Sequence, residues 1–195
     1  DTGIYATNID LVAKENIEDI GGNMIAAKDI SMYSENGDIK NRKKLSIHEN
    51  DLRHIFTDVR ASGNITGKNV KIVANTLENL GADIKAKENL EIGARKNLEI
   101  GSLEAVEQRK SVGKKHTVLD RKTSNVGRKL QAKEIHLTAL QDIHVRGSNL
   151  FAEEKVNLSA KGNIDIVAGK NTTLHQEEHH KSKSFGRSSS STDVE

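Results

Sequence analysis

Apolar and polar residues alternate along this chain in short bursts, and the bursts recur. The stretch IKAKENLEIGARKNLEI at 84–100 and the stretch LFAEEKVNLSAKGNIDI at 150–166 follow one formula. An apolar residue is followed two positions later by a small one, then by an alternating apolar pair, a second small residue, and another alternating pair. The same formula starts at Ile4, Ile25, Ile65 and Leu130, so the period is about 20 residues. Runs such as Asn69-Val70-Lys71-Ile72 put apolar side chains on one face and polar ones on the other, which predicts strands of three to five residues. Strands this short are unstable alone. Stacked in register with equivalents above and below, they gain ladder hydrogen bonds on both sides, at a strand spacing of about 4.8 Å.

Three such strands per period predict an all-β fold, a right-handed parallel β-helix built from coils of about 20 residues. The handedness follows the general crossover preference for parallel strands. A leucine-rich repeat shares the period but lacks support here, because its fixed Leu-rich consensus is missing. The small residues Ala6, Ala27, Gly67, Ala86, Ala132 and Ala152, and a second set of Ala13, Ala74, Gly93, Ala139 and Ala160, are expected at corners. Asn16, Gly37, Asn97 and Gly162-Asn163 fit turns that visit left-handed backbone conformations. Repeated Asn at turns also predicts a side-chain amide ladder along the stack. The interval between the starts at 25 and 65 is read as hiding a degenerate coil in 45–64, with a bulged loop at 48–58. That reading gives eight or nine coils and a rod on the order of 40 Å.

Composition fits a thin stack better than a wide core. Only 34% of the 195 residues are hydrophobic and 3% aromatic, while 30% are charged with a net of +2. A solenoid tolerates this, since each coil buries only a few Ile, Leu and Val against its neighbours. The chain has no Cys, which excludes disulfides, thiol catalysis and Cys-based zinc sites, and no Pro, which suits strands that all donate to ladders. No apolar run is long enough for a transmembrane helix. The N-terminus carries neither an initiator Met nor a signal-like region, and reads as a segment cut from a longer protein.

The repeat breaks twice. Residues 102–129 carry Arg109, Lys110, Lys114, Lys115, Arg121, Lys122, Arg128 and Lys129 against only Glu104, Glu107 and Asp120. Alternating arms at 105–112 and 116–124 flank Gly113-Lys114-Lys115, which predicts an antiparallel hairpin extruded from the coils. Arg109, Lys110, Lys114, Lys115, Arg121 and Lys122 are the candidate binding residues, suited to anionic glycans, lipopolysaccharide or a partner protein; a plain solvated insertion is the alternative. Nucleic acid is not an expected partner, because the excursion has no aromatic side chain for stacking and no reading module. The second break is 175–195, which is polar with a serine run and is expected to be a flexible tail following a repeat region of 1–174. His175, His179 and His180 have metal-ligand spacing only if that segment is helical, and no metal site is expected there.

Chemistry is hard to place on this chain. Glycoside hydrolysis needs two carboxylates on one rigid face, about 5–10 Å apart. The acidic pairs Glu18-Asp19, Glu153-Glu154 and Glu177-Glu178 read as solvated charge, and no Trp is present to stack on a sugar. The run Glu35-Asn36-Gly37-Asp38 is too short for a calcium loop. No nucleophile elbow, zinc-protease or phosphate-loop motif occurs. No catalytic residue, no metal and no cofactor is expected, and the chain does not read as an enzyme.

The stretches ASGNITGKNVKIVA at 61–74, AKENLEIGARKNLEI at 86–100 and KGNIDIVAG at 161–169 resemble the haemagglutinin repeats of filamentous haemagglutinin-type exoproteins, including the contact-dependent inhibition proteins that deliver toxins. The resemblance spans roughly 1–175. The charged interruption and the His/Glu/Lys/Ser tail with Phe185-Gly186 resemble the later repeat block of that family. It implies export by an outer-membrane two-partner-secretion transporter, a place at the bacterial cell surface or outside the cell, and a target-cell receptor or glycan as partner. It implies work as a shaft, either carrying a C-terminal toxin to a neighbouring cell or acting as an adhesin without one.

Overall fold

The computed structural model describes residues 2–50, 54–58, 63–182 and 188–194. Its chain divides into two units: Asp1–Lys44, Arg60–Leu103 and Val126–Gly169 form the first, and Leu45–Val59, Glu104–Asn125 and Lys170–Glu195 the second. No helix occurs among the described residues.

The first unit is a parallel β-helix of six coils. Its first face stacks the strands Gly3–Ala6, Asn23–Ala26, Asn64–Gly67, Ile84–Ala86 and the start of Lys129–Ala139, followed by the start of Asn149–Ala160. Its second face stacks Ile9–Ala13, Asp29–Ser34, Asn69–Ala74 and Asn89–Ala94, then the far ends of the same two long strands. A register shift between Ala132 and Glu134 bends each long strand from one face to the other, so one continuous strand replaces a corner. The third face stacks Ile17–Ile20, Ile39–Arg42, Leu77–Leu80, Leu98–Gly101, Ile143–Arg146 and Ile164–Val167. Each coil therefore supplies three strands, unlike the single strand of a leucine-rich repeat.

Period-two alternation turns every second side chain inward, and register aligns those side chains in columns. One column runs Ile30, Val70, Leu90, Ile135; its neighbour runs Met32, Ile72, Ile92, Leu137. All eight are buried. The columns open at the last coil, where Val156, Ile164 and Ile166 are exposed.

Corner ladders link the coils. At the corner before the third face, the side chain of Asn16 accepts from the Asp38 N–H at 2.8 Å, and Asp38 accepts from Thr76 N–H at 3.0 Å. Higher up, Asn97 accepts from Asp142 N–H at 3.1 Å and Asp142 from Asn163 N–H at 2.6 Å. Before the second face, Asn8, Asp29, Asn69 and Asn89 form a second series, including the amide pair Asn89 Nδ2 to Asn69 Oδ1 at 3.2 Å. The expected amide ladder is thus mostly one of side-chain oxygens accepting backbone N–H groups, which satisfies donors that the corners leave unpaired.

Several expectations need correction. The second coil starts at Met24, not Ile25: Ile4 pairs Met24, which is buried, and Ile25 points outward. A slip of one residue exchanges the two faces, so the small position there is Ala26 and not Ala27. Ala94, not Gly93, stacks on Ala74 and Ala139. The left-handed glycines are Gly21, Gly81 and Gly147, which leave the third face at the same point of alternate coils, the first, third and fifth, and not Gly37 or Gly162. A side chain at Gly81 would also meet Leu103 Cδ1 at 2.9 Å. Finally, the described residues of 45–64 form no coil of their own; the strands Ser46–Asn50 and His54–Asp58 pair antiparallel, and the coil count is six among the described residues.

Asp19 is another correction, because it is buried inside the stack and not a solvated turn charge. It begins a polar column, Asp19, Asn41, Asn79, that turns apolar at Ile100 and Val145. Asn41 Nδ2 donates to Asn79 Oδ1 at 2.7 Å, and Asn79 Nδ2 to the Ala82 carbonyl at 2.9 Å. Asp19 Oδ1 accepts from Gly22 N–H at 2.9 Å, while Asp19 Oδ2 and Asn41 Oδ1 have no hydrogen-bond partner. Burial pushes the Asp19 carboxyl above its ordinary range, only partly offset by the Gly22 N–H. A carboxyl that titrates higher in the folded chain than in the unfolded one contributes most to stability below the ordinary carboxylate range. That contribution is lost as pH rises through the folded value. Asp19→Asn replaces the acid with an amide able to donate to Asn41. It is expected to raise stability at neutral pH by about 1 kcal/mol, with the gain shrinking toward pH ~4. Urea unfolding of both proteins at the two pH values checks this; an equal effect at both would contradict it.

Candidate binding surface

The second unit is an open antiparallel sheet of six strands in the order Ser188–Val194, Thr172–Ser182, His116–Val126, Leu103–Val112, His54–Asp58, Ser46–Asn50. The hairpin expected in 102–129 is present: Leu103–Val112 and His116–Val126 are neighbours joined at Gly113, whose N–H donates to the His116 carbonyl at 2.8 Å. Strands joined this closely can only run antiparallel. Where the sequence predicts a polar flexible tail from 175, the chain instead continues as strand Thr172–Ser182 beside His116–Val126, and then returns as Ser188–Val194. The polar run HQEEHHK hides a period of two, with His175, Glu177 and His179 on one face.

No described side chain of this sheet is fully buried. Its strands are held by their ladders and by local contacts, such as the Val106 N–H donated to Thr57 Oγ1 at 2.9 Å. Arg109, Lys110, Lys114, Lys115, Arg121 and Lys122 are all exposed. Strand alternation divides them: Arg109 and Lys122 share one face, Lys110 and Arg121 the other, and Lys114 and Lys115 occupy the turn. They do not form one uninterrupted basic patch, since Arg109 Nη2 lies 2.9 Å from Glu107 Oε1 on the same face.

The face with Arg109 and Lys122 carries a group the sequence reading did not single out. His48 lies 3.9 Å from Asp58, His54 3.5 Å from Glu107, His175 2.6 Å from Asp120 and His179 3.3 Å from Glu177, all as nitrogen–oxygen distances. The rings of His116 and His179 are 6.4 Å apart, and His48 stacks on Phe56 at 5.2 Å. Register accounts for this assembly: His116 pairs His179, Asp120 pairs His175, Glu107 pairs Phe56 and Arg109 pairs His54. The helical premise behind the His175/His179/His180 spacing does not hold, because the segment is a strand; the His180 side chain lies outside the described residues. Among the described residues, no three His, Asp or Glu side chains cluster as metal ligands do.

Stacked three-strand coils and an antiparallel sheet define a repeat-built β protein. Residues 54–118 and 110–194 match the hemagglutinin repeat family, and the chain belongs to that family. No curated protein and no solved structure matches the chain. The family is one of secreted surface proteins with an adhesin-like shaft, associated with two-partner secretion and surface binding. No helix among the described residues is long and apolar enough to cross a membrane.

Proposed function

We propose that this chain is a shaft segment of an exoprotein exported by an outer-membrane two-partner-secretion transporter, which contacts a neighbouring cell and carries a C-terminal toxin to it. The observation that supports the reading best is the six-coil stack with its continuous apolar columns, in a chain of the hemagglutinin repeat family. Ladder hydrogen bonds along three faces and corner ladders between coils resist bending, which is what reach from a cell surface requires. The second sheet, projecting basic side chains, supplies a contact surface for a target-cell receptor or glycan. A second reading, an adhesin without toxin, rests on that same exposed sheet.

The two separate in co-culture. Cells bearing the full exoprotein, or a form lacking this segment but still displayed, are mixed with susceptible neighbours. Toxin delivery requires growth inhibition that disappears with the segment. Retained adhesion with no inhibition by either form favours the adhesin.

A further inference from the structure

Five of the eight histidines in the chain stand on one face of the second sheet, and four of them sit beside a carboxylate. Surface carboxylates ordinarily meet Lys or Arg; here they meet the side chain whose charge changes between about pH 5 and 8. We propose that this face is an acid-gated binding surface for acidic polysaccharide, closed by its carboxylates at neutral pH and opened when its histidines take up protons.

The charge on each strand sets the sign. Ser46–Asn50 contributes His48, and His54–Asp58 contributes His54 and Asp58. Leu103–Val112 contributes Glu107 and Arg109, His116–Val126 contributes His116, Asp120 and Lys122, and Thr172–Ser182 contributes His175, Glu177 and His179. With the histidines neutral, four carboxylates against Arg109 and Lys122 leave two net negative charges among the described side chains, and a polyanion is repelled. With all five histidines protonated the same face carries three net positive charges. Each imidazolium also neutralises the carboxylate beside it, and the one on His54 competes for Glu107, freeing Arg109 for an incoming anion.

Shape and composition favour a polysaccharide. Side chains on one face repeat at roughly 7 Å along a strand and about 4.8 Å between strands, a grid that an extended chain of charged sugars can follow. A depression of about 330 Å³ in the middle of the sheet is lined on this face by Glu107, Arg109, Asp120, Lys122 and Thr173. Phe56 is the one aromatic among the described residues of this face and is already stacked on His48, which leaves no platform for bases. Among the described residues, no amphipathic helix offers an apolar side to a bilayer.

This gate goes beyond the contact surface proposed above, and one experiment separates the two. The intact chain is bound to heparin, as the probe polysaccharide, at about pH 5.5 and about pH 7.5 at fixed ionic strength. The expected result is binding about tenfold tighter at the lower pH. The combined variant His54→Gln, His175→Gln, His179→Gln removes that step. Asp120→Asn works in the opposite direction, strengthening binding at the higher pH, and so tests the gate through a separate single substitution. A parent with no pH step, a histidine variant that keeps it, or equal acid-dependent capture by anionic vesicles overturns the proposal. Lys110→Ser, Lys114→Ser, Lys115→Ser and Arg121→Ser together test the simpler basic-hairpin reading. If they leave binding at the higher pH unaltered, that reading fails while the pH step stands.

Discussion

Ile92→Ala is expected to lower the unfolding free energy of the six-coil unit by about 2–5 kcal/mol. Ile92 is fully buried and register-paired with Ile72 below and Leu137 above, so its removal leaves a gap in the middle of a column that neighbouring coils are too constrained to close. Chemical denaturation followed by the β-sheet circular dichroism signal measures the loss. The same truncation at Val156, in the open last coil and well exposed, is expected to cost under about 1 kcal/mol, because little burial is given up there. Similar losses at both positions would mean that the columns are not packed as described.

Proline is expected to be nearly as damaging where the side chain itself does nothing. Glu91 faces outward from Asn89–Ala94, a strand with a partner on each side: its register neighbours are Lys71 and His136. Its ion pair with Lys71, at 3.1 Å, joins two side chains that are more than half exposed, so Glu91→Ala is expected to cost under about 1 kcal/mol. Glu91→Pro deletes a ladder N–H and strands a carbonyl between coils, for an expected loss of about 2–4 kcal/mol. The difference between the two variants in the same denaturation experiment isolates the backbone contribution. A proline variant as stable as the alanine one would contradict the two-sided ladder, and the absence of proline from all 195 residues would then lack its physical reason.

The coils were legible because their signal is local and repeated. Val70-Lys71-Ile72 and Leu90-Glu91-Ile92 announce inward and outward positions directly, and register makes them neighbours. The second coil was misread by one position because Met24 and Ile25 are both apolar, and only pairing with Ile4 decides which one faces inward. Asp19 reads as solvated in the sequence because its burial depends on Asn41 and Asn79 in later coils, a column that no short window contains. The histidine face was hidden for the same reason. His54, His116 and His175 are remote in sequence, and antiparallel pairing of three separate excursions brings them onto one surface. The basic hairpin was visible in outline, from its alternation around Gly113, but alternation also divides its charges between two faces, which a count of lysines and arginines does not reveal.

The three excursions share a starting point: each departs after a third-face strand, following Ile39–Arg42, Leu98–Gly101 and Ile164–Val167. Their contacts close over long stretches of chain, with Thr57 bonding Val106 across 49 residues and His175 meeting Asp120 across 55. Each closure encloses two complete coils: 64–101 lies between the first pair, 129–167 between the second. An unfolded connection of that length imposes a large entropic barrier, which a folded stack has already removed by holding its exits at a fixed separation. The order of events during folding follows from this. Coils are expected to form first by adding to one another and the antiparallel sheet to close afterwards, so that its completion would record the folding of the coils enclosed by each pair of excursions.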